Sequence, residues 1–210
     1  MERGPTVFVV DDDEQARASV CALVQSMGLR AEAFSSGEDF LAHEHTACPG
    51  CLVVDVRMLG MSGLELQEEL NRRSVLLPVI VLTAYARTPL TVRAIKAGAV
   101  TLLEKPYEDD DLWDAIRRAL AQDSARRSEH ERRREIRRWA DGLTPAERRV
   151  MEMVVQGKPN KSIARQLDVS VRTVENRRRE VFRKMHADSV AELVRLVIEA
   201  NLEEENGPGD

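Results

Sequence analysis

The chain has 210 residues, of which 43% are hydrophobic and 32% charged, and its formal net charge at pH 7 is −5. This length suits two domains of about 100 residues each, and the hydrophobic fraction argues against an intrinsically disordered protein. With three cysteines and no apolar run of about 18 residues, the sequence favours neither a disulfide framework nor a membrane protein. We therefore expect a cytoplasmic protein with no membrane partner.

Charge is unevenly distributed along the chain. Residues 1–122 contain 12 basic and 19 acidic side chains, whereas residues 143–198 contain 12 basic and 7 acidic ones. Residues 199–210 contain five acidic side chains and no basic ones. A basic segment between acidic flanks is typical of a module that binds a polyanion.

The first half of the chain alternates apolar segments with segments of helical periodicity. The apolar segments predict five strands, at Thr6–Val10, Arg30–Phe34, Cys51–Asp55, Pro78–Thr83 and Val100–Glu104. The first and fourth have no polar face, which predicts a parallel, doubly wound sheet covered by helices on both sides. Ligands of such sheets bind at the carboxyl ends of the strands.

The second half has a different pattern. Residues 123–142 are rich in Arg and Glu with almost no apolar face, which predicts a charged helical linker. Four short helices are then predicted near 145–156, 160–167, 171–185 and 189–201, with Thr144 as the first N-cap. The predicted divisions are an α/β domain at 1–122, the linker at 123–142, an all-α domain at 143–202 and an acidic tail at 203–210.

Polar side chains follow four of the predicted strands. Asp11 and Asp12 come after the first strand, Asp55 ends the third, Thr83 ends the fourth and Lys105 follows the fifth. Because carboxylates held together repel one another, we expect a hard divalent cation between them, Mg²⁺ or Mn²⁺. A hydroxyl and a lysine at the same edge add donors for a phosphoryl group, so the pattern predicts phosphoryl transfer.

This set of residues, with Ala84 and Pro106 beside Thr83 and Lys105, resembles the receiver domain of two-component response regulators. The resemblance covers about residues 5–122, and its specificity comes from the joint occurrence of positions that are individually common. It implies a flavodoxin-like fold and a sensor histidine kinase as the partner that phosphorylates Asp55.

The resemblance also implies a role for each residue of the pocket. Asp12, Asp55 and the carbonyl of Arg57 would hold the cation, with Asp11 helping through a water molecule. Lys105 would neutralise charge on the transferred group, and Thr83 would donate a hydrogen bond to it. A cis peptide bond at Lys105-Pro106 is also implied.

Two residues depart from the receiver pattern. Leu59 stands where the family commonly has proline, which predicts a looser loop after Asp55. Leu102 stands where many receivers have the aromatic residue that moves with the threonine, so that aromatic switch is excluded at this position. Signal transfer is then expected to use backbone rearrangement and the face formed by the fourth helix, fifth strand and fifth helix, with Tyr107 as a speculative substitute.

The segment from Gly157 to Arg177 has apolar residues spaced for two helices joined by a tight turn. It resembles the LuxR-type helix-turn-helix of the NarL/FixJ class. The matching residues are Leu143-Thr-Pro-Ala-Glu-Arg, Asn160-Lys161, Ile163-Ala164, Thr173-Val174-Glu175 and Lys184-Met185. The resemblance covers about residues 143–201 and implies promoter DNA as a partner.

The second helix of this motif, 171–185, is expected to enter the major groove, with Arg172 on its outward face. By position, Glu175, Asn176 and Arg179 are expected to face base edges. The residues expected to meet phosphates are Lys161, Thr173, Arg178 and Lys184. Arg177 stands where the family often has histidine, which adds a positive charge to this helix.

Two such domains in a homodimer, bound to two half-sites on DNA, would gain affinity together. The last predicted helix offers candidate dimer contacts, although core packing explains most of them equally well: Val190, Leu193, Val194 and Val197.

A metal or redox site is a weaker alternative elsewhere in the chain. His43, His45, Cys48 and Cys51 could ligate zinc, or the two cysteines could form a redox pair. Cys51 begins a buried strand and a receiver needs neither cysteine, so we do not favour this interpretation.

The favoured hypothesis is a transcription regulator controlled by phosphorylation of Asp55, which is not a turnover enzyme. Two alternatives stay open. One is a DNA-binding regulator that works without phosphorylation and whose receiver is structural or senses another ligand, suggested by Leu59 and Leu102. The other is a magnesium-dependent phosphatase, in which the DNA-binding motif has no role.

Overall fold

The computed structural model describes residues 4–43, 48–86 and 88–200. The chain divides into two compact units, 1–127 and 128–210, with the boundary after Arg127. In the described part of the chain, no helix combines the length and the apolar character that crossing a bilayer requires.

The first unit is the predicted parallel α/β fold. Its described residues form five parallel strands in the order β2-β1-β3-β4-β5. The elements in chain order are β1 Thr6–Val10, α1 Glu14–Ser26, β2 Arg30–Phe34, α2 Gly37–Ala42, β3 Gly50–Asp55, α3 Gly63–Arg72, β4 Val79–Thr83, α4 Thr88–Lys96, β5 Thr101–Glu104 and α5 Asp109–Asp141. The prediction of a doubly wound sheet is confirmed, and three strands begin one residue away from the predicted start.

The strand order determines which polar residues meet. β3 lies between β1 and β4, with Val10 beside Val54 and Asp55 beside Leu82. The residues that follow β1 and end β4 therefore flank the end of β3, as the parallel arrangement predicts.

Both faces of the sheet are buried, because successive residues of a strand point to opposite sides. Phe8 and Val10 of β1 belong to one apolar cluster, in which Phe8, Phe34 and Phe40 pack their rings against each other. Val7 and Val9 belong to the other cluster, which α1 and α5 cover. The carboxyl edge of the sheet is thus held by two packed layers.

The second unit contains the four predicted helices. They are α6 Pro145–Val155, α7 Asn160–Gln166, α8 Val171–Lys184 and α9 Val190–Glu199. Thr144 is confirmed as the N-cap of α6, in a reciprocal capping box with Glu147. Ser170 and Ser189 cap α8 and α9 through a single bond each, by accepting a backbone N–H three residues later.

The charged segment 123–142 has more of a core face than the sequence analysis predicted. All of it except Gly142 lies within α5, and Ile136 and Ala140 are fully buried in the core of the second unit, with Trp139 packed against them. These three apolar residues at i, i+3 and i+4 line one stripe of the helix, but seven arginines mask the pattern. The prediction that this segment has almost no apolar face was wrong for its last turns.

Candidate functional site

Lys105 joins two carboxylates at the carboxyl edge of the sheet. Its Nζ lies 2.6 Å from Asp55 Oδ1 and 2.9 Å from Asp11 Oδ2. Asp11 is 2% exposed and Asp55 is 9% exposed, so the three groups interact with little screening by water. Burial alone would lower the pKa of Lys105, but its hydrogen bonds to Asp55 and Asp11 outweigh burial and raise it. A permanent cation therefore stands beside the candidate phosphoacceptor.

The remaining oxygens of these two carboxylates are held by the backbone. The N–H of Arg57 donates to Asp55 Oδ2 at 2.6 Å, and the N–H of Asp13 donates to Asp11 Oδ1 at 2.9 Å. Arg17 Nη1 donates to the carbonyl of Asp11 at 2.6 Å. Both side chains are thus fixed in one orientation by short loops at the strand ends.

The three consecutive aspartates after β1 occupy three different environments. Asp11 is buried, whereas Asp12 is exposed and its Oδ2 accepts the N–H of Leu59 at 2.9 Å. Asp13 caps α1, where hydrogen bonds from the N–H groups of Ala16 and Gln15 lower its pKa. The sequence alone did not separate these roles, because an aspartate between a strand and a helix can either cap the helix or bind a metal.

Thr83 is buried at the end of β4, and its hydroxyl is engaged by the loop that follows. Its Oγ1 accepts the N–H of Tyr85 at 3.2 Å and donates to the carbonyl of Tyr85 at 3.3 Å. The Tyr85 ring in turn packs under the guanidinium of Arg57, 4.8 Å from the ring centroid. The loops after β3 and β4 are therefore in contact, which the sequence did not predict.

The donor set of the pocket fits a hard cation. Within the described residues, no three His, Cys, Asp or Glu side chains form a group that would hold a metal by themselves. Mg²⁺ needs less than this, because it binds through one or two carboxylates and keeps several waters. The predicted ligands are the carboxylates of Asp12 and Asp55 and the backbone carbonyl of Arg57. This set contains no nitrogen or sulfur donor, so it suits Mg²⁺ better than a softer metal.

The residues that follow Lys105 are also placed by the fold. The Lys105-Pro106 peptide bond is cis, as the resemblance implied. Tyr107 is half-buried against the apolar cluster of α1 and α5, and burial raises the pKa of its hydroxyl. Leu102 packs partly buried on the opposite face of the sheet, beside Val81.

The cysteine pair shows no sign of a metal or redox site within the described residues. Cys51 is fully buried in β3, and all three cysteines of the chain are free thiols. His43 packs its ring against Phe34, with centroids 5.1 Å apart, and His45 lies outside the described residues. Burial, reinforced by the charge of Asp123, raises the pKa of Cys51 to about 12.

The helix predicted to read DNA presents a polar, exposed face. Val174 and Val181 of α8 are buried in the core, and the opposite side carries exposed side chains. Those predicted for DNA are Arg172, Glu175, Asn176 and Arg179. Lys161, near the start of α7, is exposed as well.

The other predicted phosphate contacts already take part in intramolecular bonds. Lys184 Nζ lies 2.7 Å from Glu147 Oε2, and its side chain is 24% exposed. Arg178 donates to the side chain of Asn160 at 3.0 Å and stacks over a neighbouring phenylalanine. The hydroxyl of Thr173 hydrogen-bonds that of Ser170, the cap of α8. The Arg178–Asn160 bond joins the two helices of the motif, α7 and α8, whereas the Lys184–Glu147 pair joins α8 to α6.

The candidate dimer contacts on α9 separate into two kinds. Leu193 and Val197 are buried in the core of the second unit, so core packing accounts for them. Val190 is 37% exposed and Val194 is partly exposed.

Family models match both halves of the chain. Residues 7–117 match the response regulator receiver domain, and residues 141–197 match the bacterial regulatory proteins of the luxR family. These matches correspond to the two regions in which the sequence analysis found the receiver and helix-turn-helix patterns.

Similar proteins share both regions. Transcriptional regulatory protein FixJ of Azorhizobium caulinodans is 41% identical over 196 residues, which is 93% of each protein. Response regulator protein TodT of Pseudomonas putida is 37% identical over 195 residues, or 93% of this chain and 86% of TodT.

Solved structures agree with the sequence comparison. Response regulator StyR has a TM-score of 0.83 and 40% identity, covering 93% of this chain and 98% of StyR. Full-length FixJ from B. japonicum has a TM-score of 0.58 and 38% identity, covering 95% and 98%. The chain belongs to the two-component response regulators of the FixJ/NarL class, which combine a receiver domain with a LuxR-type DNA-binding domain.

Proposed function

We propose that Asp55 accepts a phosphoryl group from a sensor histidine kinase, and that this changes dimerisation and promoter binding. The domain roles follow: 1–122 is the receiver, 143–202 the DNA-binding domain and 203–210 an acidic tail. The linker, 123–142, connects the two domains and contributes Ile136 and Ala140 to the core of the second unit. The observation that carries the proposal is the bridge from Lys105 to Asp11 and Asp55, in a chain that also contains a helix-turn-helix.

Asp55 acts as the nucleophile in this proposal. An oxygen of its carboxylate attacks the phosphorus of a phosphohistidine, a P–O bond forms, and the P–N bond breaks with its electron pair staying on the imidazole. Lys105 balances negative charge on the transferred group, and the N–H of Arg57 keeps the attacking carboxylate oriented. The product is an acyl phosphate on Asp55, formed once per cycle without turnover of a small substrate.

Asp12, Asp55 and the carbonyl of Arg57 are the groups that would hold Mg²⁺ or Mn²⁺, with Asp11 acting through water. When bound, the cation supplies charge neutralisation for the phosphoryl oxygens. The exposed position of Asp12 and the fixed position of Asp55 support this assignment.

Phosphorylation would compete for the hydroxyl of Thr83. That hydroxyl now bonds the backbone of Tyr85, and a phosphoryl oxygen on Asp55 is a stronger acceptor. The loop after β4 would then rearrange and alter the exposed face of α4. Val92 and Ile95 lie on that helix and are 46% and 49% exposed. Because Leu102 offers no aromatic ring, the change must pass through the backbone and the α4-β5-α5 face.

The DNA-binding proposal assigns contacts by exposure and chemistry. Glu175, Asn176 and Arg179 face base edges, and Arg172 lies beside them on α8. Phosphate contacts come from Lys161, Thr173, Arg178 and Lys184, of which Lys161 is the most accessible. A homodimer on two half-sites in promoter DNA is the assembly, and the cytoplasm is its location.

Phosphorylation and DNA binding can be tested on the full chain. After incubation with acetyl phosphate and Mg²⁺, we expect intact mass spectrometry to show the addition of one phosphoryl group, which Asp55→Ala abolishes. We also expect light scattering to show a larger dimer fraction and promoter binding to tighten. An unmodified wild-type chain that binds its promoter fully would instead support the regulator that works without phosphorylation, to which Leu59 and Leu102 point.

A further inference from the structure

The loop after β3 is held by carboxylates from two other elements. The N–H of Leu59 donates to Asp12 Oδ2 at 2.9 Å, and the N–H of Met61 donates to Glu38 Oε1 at 3.0 Å. Between them Gly60 has φ +80°, a left-handed conformation that favours glycine and turns the loop sharply. The loop that Leu59 was expected to loosen is instead tied at two points.

The contact to Asp12 depends on the residue at position 59 having an N–H. Proline, which the family commonly has here, has none and could not make this bond. The side chain of Leu59 is 82% exposed, so this position contributes little packing. Its structural contribution in this chain is a backbone donor directed at Asp12.

We propose that Leu59 is a positioning residue for the cation site, and that its N–H orients the Asp12 carboxylate for Mg²⁺. The inference rests on the proposed function, which assigns Asp12 to the cation. A carboxylate has two oxygens that accept several bonds, so one N–H on Oδ2 still leaves acceptor capacity for a cation. Asp12 is exposed and would otherwise sample several rotamers, and ligating carboxylates are commonly fixed by such outer hydrogen bonds.

The test is a calorimetric titration of the full chain with Mg²⁺ alone, without phosphodonor. We expect Leu59→Pro, which removes the N–H, to weaken Mg²⁺ binding about ten-fold. Leu59→Ala keeps the N–H and shortens an exposed side chain, so we expect its affinity to stay within about two-fold of wild type. Equal or tighter Mg²⁺ binding by Leu59→Pro would overturn the proposal.

A second variant separates the N–H from the shape of the loop. Replacing Leu59 by its α-hydroxy acid converts the amide to an ester, which removes the donor and keeps the leucine side chain. We expect the ester chain to bind Mg²⁺ about ten-fold more weakly, as the proline variant does. An ester chain that binds Mg²⁺ like wild type overturns the proposal even if the proline variant misfolds.

The same titration distinguishes this inference from the proposed function. Wild-type chain that shows no Mg²⁺ binding overturns the cation site and the role of Leu59 together. Wild-type chain that binds Mg²⁺, loses binding in Asp12→Ala and keeps it in the ester variant overturns the role of Leu59 alone. Amide exchange gives a direct check, because the Leu59 N–H should exchange faster in Asp12→Ala.

Discussion

Asp123 and Arg127 form an ion pair one turn apart on α5, with Asp123 Oδ2 2.8 Å from Arg127 Nε. Asp123 is only 2% exposed, and the same oxygen accepts the N–H of Gly50 at the start of β3. Arg127 also donates to the carbonyl of Cys48 at 2.6 Å. A carboxylate in an arginine-rich stretch thus ties α5 to the edge of the sheet opposite Asp55, the proposed phosphoacceptor.

Asp123→Ala should destabilise the first unit by about 2–3 kcal/mol, because it leaves the buried N–H of Gly50 and part of Arg127 without their acceptor. The measurement is thermal unfolding of the full chain, with amide exchange at Gly50 as the local readout. The control is Asp114→Ala on the same helix, whose exposed pair with Arg117 spans 3.9 Å and should contribute under about 0.5 kcal/mol. Equal losses in the two variants would contradict a special role for Asp123.

The thiol of Cys51 should be inert in the folded protein. Burial raises its pKa to about 12, so at pH 8 almost none of it is the reactive thiolate. Labelling with a thiol reagent should modify Cys48 fastest, because burial also raises the pKa of the partly exposed Cys21, and should modify Cys51 only on unfolding. Cys48→Ser should remove the fast phase and Cys51→Ser should leave it intact. Rapid modification of Cys51 in native protein would show that β3 opens readily at this point.

Glu147 should make the second unit sensitive to acid. Burial opposes ionisation of this side chain, but the hydrogen bonds from Lys184 and Thr144 outweigh it and lower its pKa. Because the folded pKa lies below the unfolded value of about 4.3, the ionised group stabilises the fold above that pH. This stabilisation is lost as the pH falls through the folded pKa.

The measurement for Glu147 is the melting temperature of the second unit between pH 7 and pH 3. Glu147→Gln should lower stability at pH 7 by about 1–2 kcal/mol and flatten the decline below about pH 4.5. Glu131→Gln, at an exposed acid of the same unit, is the control. Parallel pH profiles for wild type and Glu147→Gln would exclude the ion pair with Lys184 as the cause.

Lys161 and Lys184 should respond differently to removal of their charge. Lys161 is exposed, so Lys161→Ala should weaken binding to a generic DNA duplex and reduce the salt slope by about one, with no change in melting temperature. Lys184 bonds Glu147, so Lys184→Ala should lower the melting temperature as well. Fluorescence anisotropy across salt concentrations measures the first effect. A melting temperature unchanged in Lys184→Ala would assign this lysine to DNA alone.

The meeting of Asp11, Asp55 and Lys105 could be predicted from the sequence because topology places these residues. In a parallel sheet every strand ends at the same edge, so Asp11, Asp55 and Lys105 meet whatever the intervening helices contain. The helices of the second unit were predicted for a similar reason, since caps such as Thr144 and apolar periodicity are local signals. Both predictions needed only local patterns: the ends of the strands in the first unit, and the caps and apolar periodicity of the helices in the second.

Contacts between distant loops were not predictable in this way. The N–H of Leu59 reaches Asp12, 47 residues earlier, through a backbone donor that any residue except proline would offer. The Arg57–Tyr85 contact depends on two loops meeting above the sheet. Asp123 could not be distinguished from the other acids of its charged segment, because its acceptor role exists only once β3 is in place. At Gly50 a side chain is excluded as well, since a Cβ there would collide with the Thr6 carbonyl.

The burial of Ile136 and Ala140 affects where the DNA-binding module can be cut from the rest of the chain. A fragment that starts at Leu143 would expose the apolar surface that these residues cover and would tend to aggregate. A fragment that starts near Ser128 keeps them and matches the observed boundary of the second unit. Proteolysis of the native chain should accordingly spare the helical turns from Ile136 to Ala140.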